Sequence, residues 1–237
     1  MTTIIKAKEL IIKGAENILE LPENLKEQVS IYWNEQKMQH PGMFNGPVYS
    51  VLDMENNNGE ITLECALSDY ANYKYSEIHD LGEFACRNLY AGCLLKSCEG
   101  KYIVALNGAG SEFTGKIQFI GGAMDPEDKD EVTGKLDPLI TAMRELEEEA
   151  GKEIRNSIKN VGETYLITNG RKYGIGTVLQ SSMSADELTA ALGRFKDSTH
   201  NNEIDNLVAF GKENKDELEN YVNRQDIGVV EFLKEVL

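Results

Sequence analysis

Apolar residues recur along this chain at two periods, and the switch between them marks where strands give way to helices. Ile4-Ile5 and Leu10-Ile11-Ile12 predict a pair of short strands. Between Glu23 and Gln39 the spacing turns helical, with Leu25, Val29, Tyr32, Trp33 and Gln36 along one side, Pro22 before the run and Pro41-Gly42 after it. Trp33 reads as a core anchor, with a ligand-stacking ring as the alternative. Residues 48–54 and 60–67 are strand-like and are joined by Asn56-Asn57-Asn58-Gly59, a hairpin turn. Residues 69–76 then read as an aromatic and polar loop carrying Tyr70, Tyr73 and Tyr75.

Three further strands are predicted at 89–96, 102–106 and 116–120, the last running into Gly121-Gly122. The glycine-rich piece at 107–111 lacks the Gly-Lys-Ser/Thr ending of a phosphate loop, and no helical pattern follows it, so it reads as a flexible turn near a substrate. Asp137-Pro138 is a strong helix start, and Leu139, Met143, Leu146 and Ala150 form its apolar stripe up to Gly151, a residue suited to the positive-φ position after a helix. Residues 160–167 and 173–179 form a hairpin across Asn169-Gly170. Ser184 caps a helix over 184–195, with Glu187 at the capping-box position. A strand at 204–210 and two short helices near 214–222 and 229–236 close the chain. The mixture of strands and helices predicts an α/β (α+β) fold.

The helix that ends at Gly151 concentrates the candidate chemistry. Glu145, Glu148 and Glu149 share one of its faces, at i, i+3 and i, i+4. Like charges at that spacing cost roughly 0.2–0.5 kcal/mol per pair, and these sit at the end of the helix dipole that disfavours anions. A solvated acidic face is the plain explanation in an acidic chain. A bound divalent cation is the sharper one, since clustered carboxylate oxygens suit Mg²⁺ or Mn²⁺.

The spacing sharpens the choice. Arg144-Glu145-Leu146-Glu147-Glu148-Glu149-Ala150-Gly151 resembles the second half of the Nudix box, and Phe119-Ile120-Gly121-Gly122 resembles its opening. The resemblance implies a Nudix-type α/β/α sandwich with a mixed sheet over residues 85–237, and an N-terminal helix and β-meander extension over 1–84 that sets substrate specificity. It also implies hydrolysis of a nucleoside diphosphate linked to another moiety, with Mg²⁺ or Mn²⁺ as cofactor. Glu148 and Glu149 would bind metal, with Glu145 as a third ligand or as the base that deprotonates water. The Gly122 carbonyl would complete the shell, and Arg144 would hold the glutamates in place. Glu203 is the candidate for one more carboxylate, with Asp205 as its competitor.

This chain departs from the common box in three ways. The loop between Gly122 and Arg144 is eight residues longer, Leu136 stands where a loop glutamate is usual, and Lys152 replaces an apolar residue. Glu127, Asp128, Asp130 and Glu131 are the loop acids available as substitutes. The words Phe44-Asn45-Gly46 and Ser68-Asp69-Tyr70, followed by more tyrosines, are similar to the N-terminal region of the UDP-sugar pyrophosphatase branch. They imply a nucleotide sugar such as UDP-glucose as substrate, with ADP-ribose second and a nucleotide-sensing module of weak activity as the rival. Tyr70, Tyr73 and Tyr75 would then contact base or sugar, or else form a packed cap over the sheet. Arg171 and Lys172, beside the hairpin turn, are candidate contacts for phosphate, or else solvated turn residues.

Composition narrows the partners. With 40 acidic and 24 basic residues and a net charge of −16, the 237-residue chain lacks the basic surface that nucleic acid requires. Neither a membrane-length apolar run nor a secretory segment is visible, which predicts a cytoplasmic protein, monomer or homodimer, acting on a small molecule. Cys65, Cys86, Cys93 and Cys98 lack zinc-ligand spacing and read as buried free thiols, and His40, His79 and His200 are scattered.

Overall fold

The computed structural model describes residues 2–111, 113–226 and 228–237. Its architecture is mixed α/β, built on one large sheet. The strands are β1 (Thr3–Ala7), β2 (Glu9–Lys13), β3 (Pro47–Asn57), β4 (Glu60–Asp69), β5 (Asn88–Lys96), β6 (Tyr102–Asn107), β7 (Ile117–Gln118), β8 (Ile120–Ala123), β9 (Ile158–Thr168), β10 (Tyr173–Ser181) and β11 (Ile204–Phe210). The helices are α1 (Glu23–Gln39), α2 (Tyr70–Ile78), α3 (Pro138–Ala150), α4 (Lys152–Asn156), α5 (Ala185–Thr199) and α6 (Val229–Val236).

Seven strands follow the order β1-β9-β10-β5-β3-β4-β2. The β10–β5 and β2–β4 ladders are parallel and the others on this path are antiparallel. Only Lys8 separates β1 from β2, so the two ends of the path must meet, and the sheet curls round on itself. Ile5 and Ala7 of β1 and Leu10 and Ile12 of β2 point into the curl, against Tyr49, Val51, Ile61, Leu63, Leu89, Ala91, Leu166 and Ile175. The predicted strands at the N-terminus therefore exist but do not pair with each other. Residues 1–84 share one sheet with the remainder through β1–β9 and β3–β5.

β5 is the pivot of the molecule. It pairs with β10, β3, β6 and β8, and its alternating side chains feed three apolar clusters. Leu89 and Ala91 enter the curled core, and Cys93 and Leu95 pack under α3 and α5. Leu94 faces the opposite side, where Phe232 and Leu233 of α6 cover the sheet. Helices thus lie on both faces of the central strands. Among the described residues, no helix is long and apolar enough to cross a membrane.

Several local expectations are corrected. The segment drawn as an aromatic loop is α2. Asp69 caps it by accepting from the Asn72 amide at 2.9 Å, and Glu77 binds Lys74 (3.0 Å) and the Tyr73 hydroxyl (3.0 Å) along it. The strand expected at 116–120 is broken at Phe119, so Gly121 and Gly122 lie inside β8, paired with Gly92 and Ala91 of β5. The first closing helix is a 3-10 segment, Lys212–Tyr221. Three of the cysteines are buried, but Cys98 is exposed. Trp33 is 8% exposed and packs among Val29, Ala71 and Tyr75, as a core anchor does.

Candidate functional site

α3 carries the site because its sequence fixes both its ends and its rotation. The Asp137 side chain accepts from the Leu139 amide at 2.8 Å, and Gly151 ends the helix at φ 95°. Ala142, Leu146 and Ala150 are buried on the β5 side, with Leu139 and Met143 beside them. That rotation sends Arg144, Glu145, Glu148 and Glu149 toward β8 and the cleft beyond it.

Arg144 is held at five points. Its Nε and Nη2 donate to the two Asp128 oxygens at 2.9 and 2.8 Å, its Nη1 to Glu145 at 2.6 Å and Glu148 at 3.2 Å, and its Nη2 also to the Ala123 carbonyl at 3.4 Å. Asp128 is thus the acid of the enlarged loop that reaches the helix. Its side chain is 3% exposed and also accepts from the Thr141 hydroxyl and the Asp125 amide, both at 2.9 Å. Burial alone would raise the Asp128 carboxyl, but hydrogen bonds from Arg144, the Asp125 amide and Thr141 hold it below its ordinary value. Asp130 instead receives the Val132 and Thr133 amides within its own loop, and Leu136 is buried in the curled core.

The three glutamates differ sharply. Glu148 is exposed, at 58%. Glu145 is largely buried, and its carboxyl is raised chiefly by that burial, with Arg144 opposing. It lies over Gly122 so closely that a Cβ there would overlap the carboxylate. Glu149 is the most perturbed. Burial first, then the charges of Glu145 and Glu203, push its carboxyl up to about 9, against a pull from the Gly121 amide. Its Oε2 is shut off from solvent and has no hydrogen-bond donor. An unpartnered buried carboxylate oxygen is costly, so its presence calls for a ligand or a proton.

Glu149 opens onto a cleft of about 310 Å³. Gly121 and Gly122 of β8 form one wall, Glu203 another, and Tyr70, Tyr73, Tyr90 and Phe113 give it aromatic sides. Glu203 stands before β11, where its amide receives support from Asn201 at 2.8 Å and its carbonyl accepts from the Gly108 amide at 2.7 Å. The glycine-rich turn at 107–111 therefore carries Gly110 and Ser111 to the rim. Asp205 does not face the cleft with Glu203. Its side chain approaches Lys196 at 3.8 Å.

Of the predicted residues, the fold brings Gly122, Glu149, Glu203, Tyr70 and Tyr73 to this cleft, with Glu145, Glu148 and Arg144 behind them. Tyr75 does not belong there. It is turned toward α1, where its hydroxyl meets Gln28 at 3.2 Å and its ring meets Tyr32, because the helical spacing of α2 puts Tyr73 and Tyr75 on different sides. Arg171 also misses this cleft and borders a second one, while its neighbour Lys172 lines both. Lys172 pairs with Glu77 at 3.3 Å and stands 5.7 Å from the Tyr73 and Phe113 ring centres.

Sequence reading missed Asn88, Tyr90, Gln118 and Asp226, which also line the cleft. The Asn88 Oδ1 is a second buried acceptor without a donor. Only strand alternation on β5 could have found Asn88 and Tyr90, and nothing local marks Asp226.

Among the described residues, no three His, Cys, Asp or Glu side chains stand close enough to form a metal cage as they are. Arg144 bonds one oxygen each of Glu145 and Glu148. The donor chemistry still suits a hard divalent cation: Glu149 Oε2 has no competing partner, and Glu145 and Glu203 lie near enough to raise the Glu149 carboxyl. No family model and no curated protein matches the sequence.

Proposed function

We propose that this chain is a metal-dependent hydrolase of the Nudix type that cleaves the pyrophosphate bond of a nucleoside diphosphate linked to another moiety. The carrying observation is Glu149, which lines an aromatic cleft beside Glu203 and the paired glycines and whose buried Oε2 has no donor, with Glu145 close by. A carboxylate in that setting resists ionisation unless positive charge arrives, so the site favours a cation over water. Mg²⁺ or Mn²⁺ held by Glu149, Glu148 and Glu145, with the Gly122 carbonyl and Glu203 as further donors, would neutralise the diphosphate oxygens and acidify a bound water.

The chain's own residues supply the rest. Lys172, already beside the aromatic wall, is placed to attract a phosphate. Tyr70, Tyr73 and Phe113 offer ring faces to a base or sugar, and Asn88 Oδ1 offers an acceptor to one of its donors. Arg144, anchored by Asp128, fixes the orientation of Glu145 and Glu148. Arg144 Nη1 engages only Oε1 of Glu145 and Oε2 of Glu148, which leaves the second oxygen of each carboxylate to a metal. A nucleotide sugar such as UDP-glucose is the preferred substrate, on the words around Phe44 and Asp69, and ADP-ribose is the second choice.

The hold of Arg144 on two of the three glutamates favours one other reading, a module that binds the nucleotide without turning it over. Both are tested by incubating the protein with a panel of nucleoside diphosphate derivatives, Mg²⁺ and a phosphatase, and measuring released phosphate. Release that disappears in Glu149→Gln supports hydrolysis. Ligand-dependent thermal stabilisation with no product across the panel supports the binding module and refutes the enzyme.

A further inference from the structure

A second cleft of about 310 Å³ adjoins the first, sharing Tyr73 and Lys172 with it. It is bounded by α2, the connection from α2 to β5, and the β9–β10 hairpin. Arg87 and Arg171 both line it. Neither has a carboxylate partner among the described residues. Arg87 donates from Nη2 to the Leu52 carbonyl, and its Nε is buried with no acceptor. Arg171 is held only through its backbone, the Asn169 side chain accepting the Arg171 and Lys172 amides at 2.9 Å each.

Acids outnumber bases 40 to 24, and Arg144, Arg155 and Arg194 have carboxylate partners, while Arg224 donates to the Gly115 carbonyl. The acids that border this cleft are already engaged. Glu77 is shared by Lys74 (3.0 Å), Lys172 (3.3 Å) and the Tyr73 hydroxyl (3.0 Å), and Asp80 accepts the Gly82 amide at 3.1 Å. His79 turns its ring onto Tyr75, with centroids 4.2 Å apart.

We infer that this second cleft is an anion pocket that takes a phosphate monoester between Arg87 and Arg171. Planar guanidinium groups with free N–H donors match a phosphate's oxygens, and a buried Nε without an acceptor is completed by one. Lys172, common to both clefts, lets a single ligand put one phosphate in each. A free anion would satisfy the same donors, and the site does not depend on hydrolysis or on metal.

The test uses metal-free full-length protein in EDTA, titrated with inorganic phosphate while backbone amide resonances are followed by NMR. Saturable shifts are expected at residues 79–87 and 169–172, with Arg171→Gln, an exposed substitution that leaves the fold intact, raising the Kd about tenfold. Shifts confined to residues 110–111 and 121–123, non-saturable shifts, or an unchanged Kd in Arg171→Gln would overturn the inference. A second titration separates the two sources. If one ligand spans both clefts, a nucleoside 3′,5′-bisphosphate binds at least tenfold tighter than the 5′-monophosphate, and Arg171→Gln removes that advantage. If the anion is separate, phosphate binds equally well with the 5′-monophosphate at saturation. Failure here leaves the hydrolase reading standing, since phosphate release from the panel is measured independently.

Discussion

Glu149 and Asp128 are both acids drawn out of water, and their environments push them in opposite directions. Glu149 keeps its proton up to about pH 9 when folded, against an ordinary value of 4.5, so the folded state holds that proton more tightly than the unfolded chain. The stability tied to it is complete below about pH 4.5 and is lost as the pH rises toward 9. Metal-free Glu149→Gln is therefore expected to be more stable than the natural protein at pH 8, by up to about 5 kcal/mol, and with Mg²⁺ present to have lost turnover by orders of magnitude. Urea titrations at pH 5 and pH 8 check the sign. A Glu149→Gln variant less stable at pH 8 would show that this carboxylate is satisfied after all. Asp128 behaves in reverse. Its carboxyl lies below its ordinary 3.8, so its contribution is present at neutral pH and fades as acid titrates it. Asp128→Asn should cost about 2 kcal/mol at pH 7, because a neutral amide weakens the two charge-assisted bonds Arg144 makes to this side chain, and the gap should narrow toward pH 3.

At the level of elements, β8 shows how two adjacent glycines serve different ends. A side chain at Gly121 would meet the backbone of Ala91 and Gly92, which β5 cannot move. The nearest atoms a side chain at Gly122 would meet belong to the Glu145 carboxylate, the end of a side chain rather than fixed backbone. Gly121→Ala is expected to lower the melting temperature by about 10 °C or more, while Gly122→Ala folds normally and fails in catalysis. Equal melting temperatures for the two variants would contradict this division. The long, regular elements were legible in the sequence because one face of each is buried: α1, α3, α5, β5 and the β3–β4 hairpin all follow from periodicity. α2 was not, because the apolar residues it buries, Ala71, Tyr73 and Tyr75, are split between two faces and leave no single apolar stripe, and the Asp69 cap and Glu77 contacts show only in the fold. For the site, Glu149 could be named from helical spacing, and Gly122 and Glu203 only from the resemblance to the Nudix box, whereas Asp128 was one of four loop acids, distinguishable only by the burial the fold imposes. Tyr75 was misplaced because a loop reading gave no basis for sorting three tyrosines by face.

The whole molecule depends on its first strands more than their length suggests. β1 and β2 occupy the two ends of the seven-strand path, and removing residues 1–13 would strip both and uncover the edges of β9 and β4. Open edges template pairing with other chains, so this truncation is expected to aggregate, as size-exclusion chromatography would reveal. A soluble, monodisperse truncated protein would show that the curl closes without them. The same arrangement has a consequence in time. β1 leaves the ribosome well before its partner β9, which ends at Thr168, so it waits unpaired while the residues between them are made. Closure of the molecule is then a late event, and translation speed past that point decides how long an unprotected strand is available to other chains.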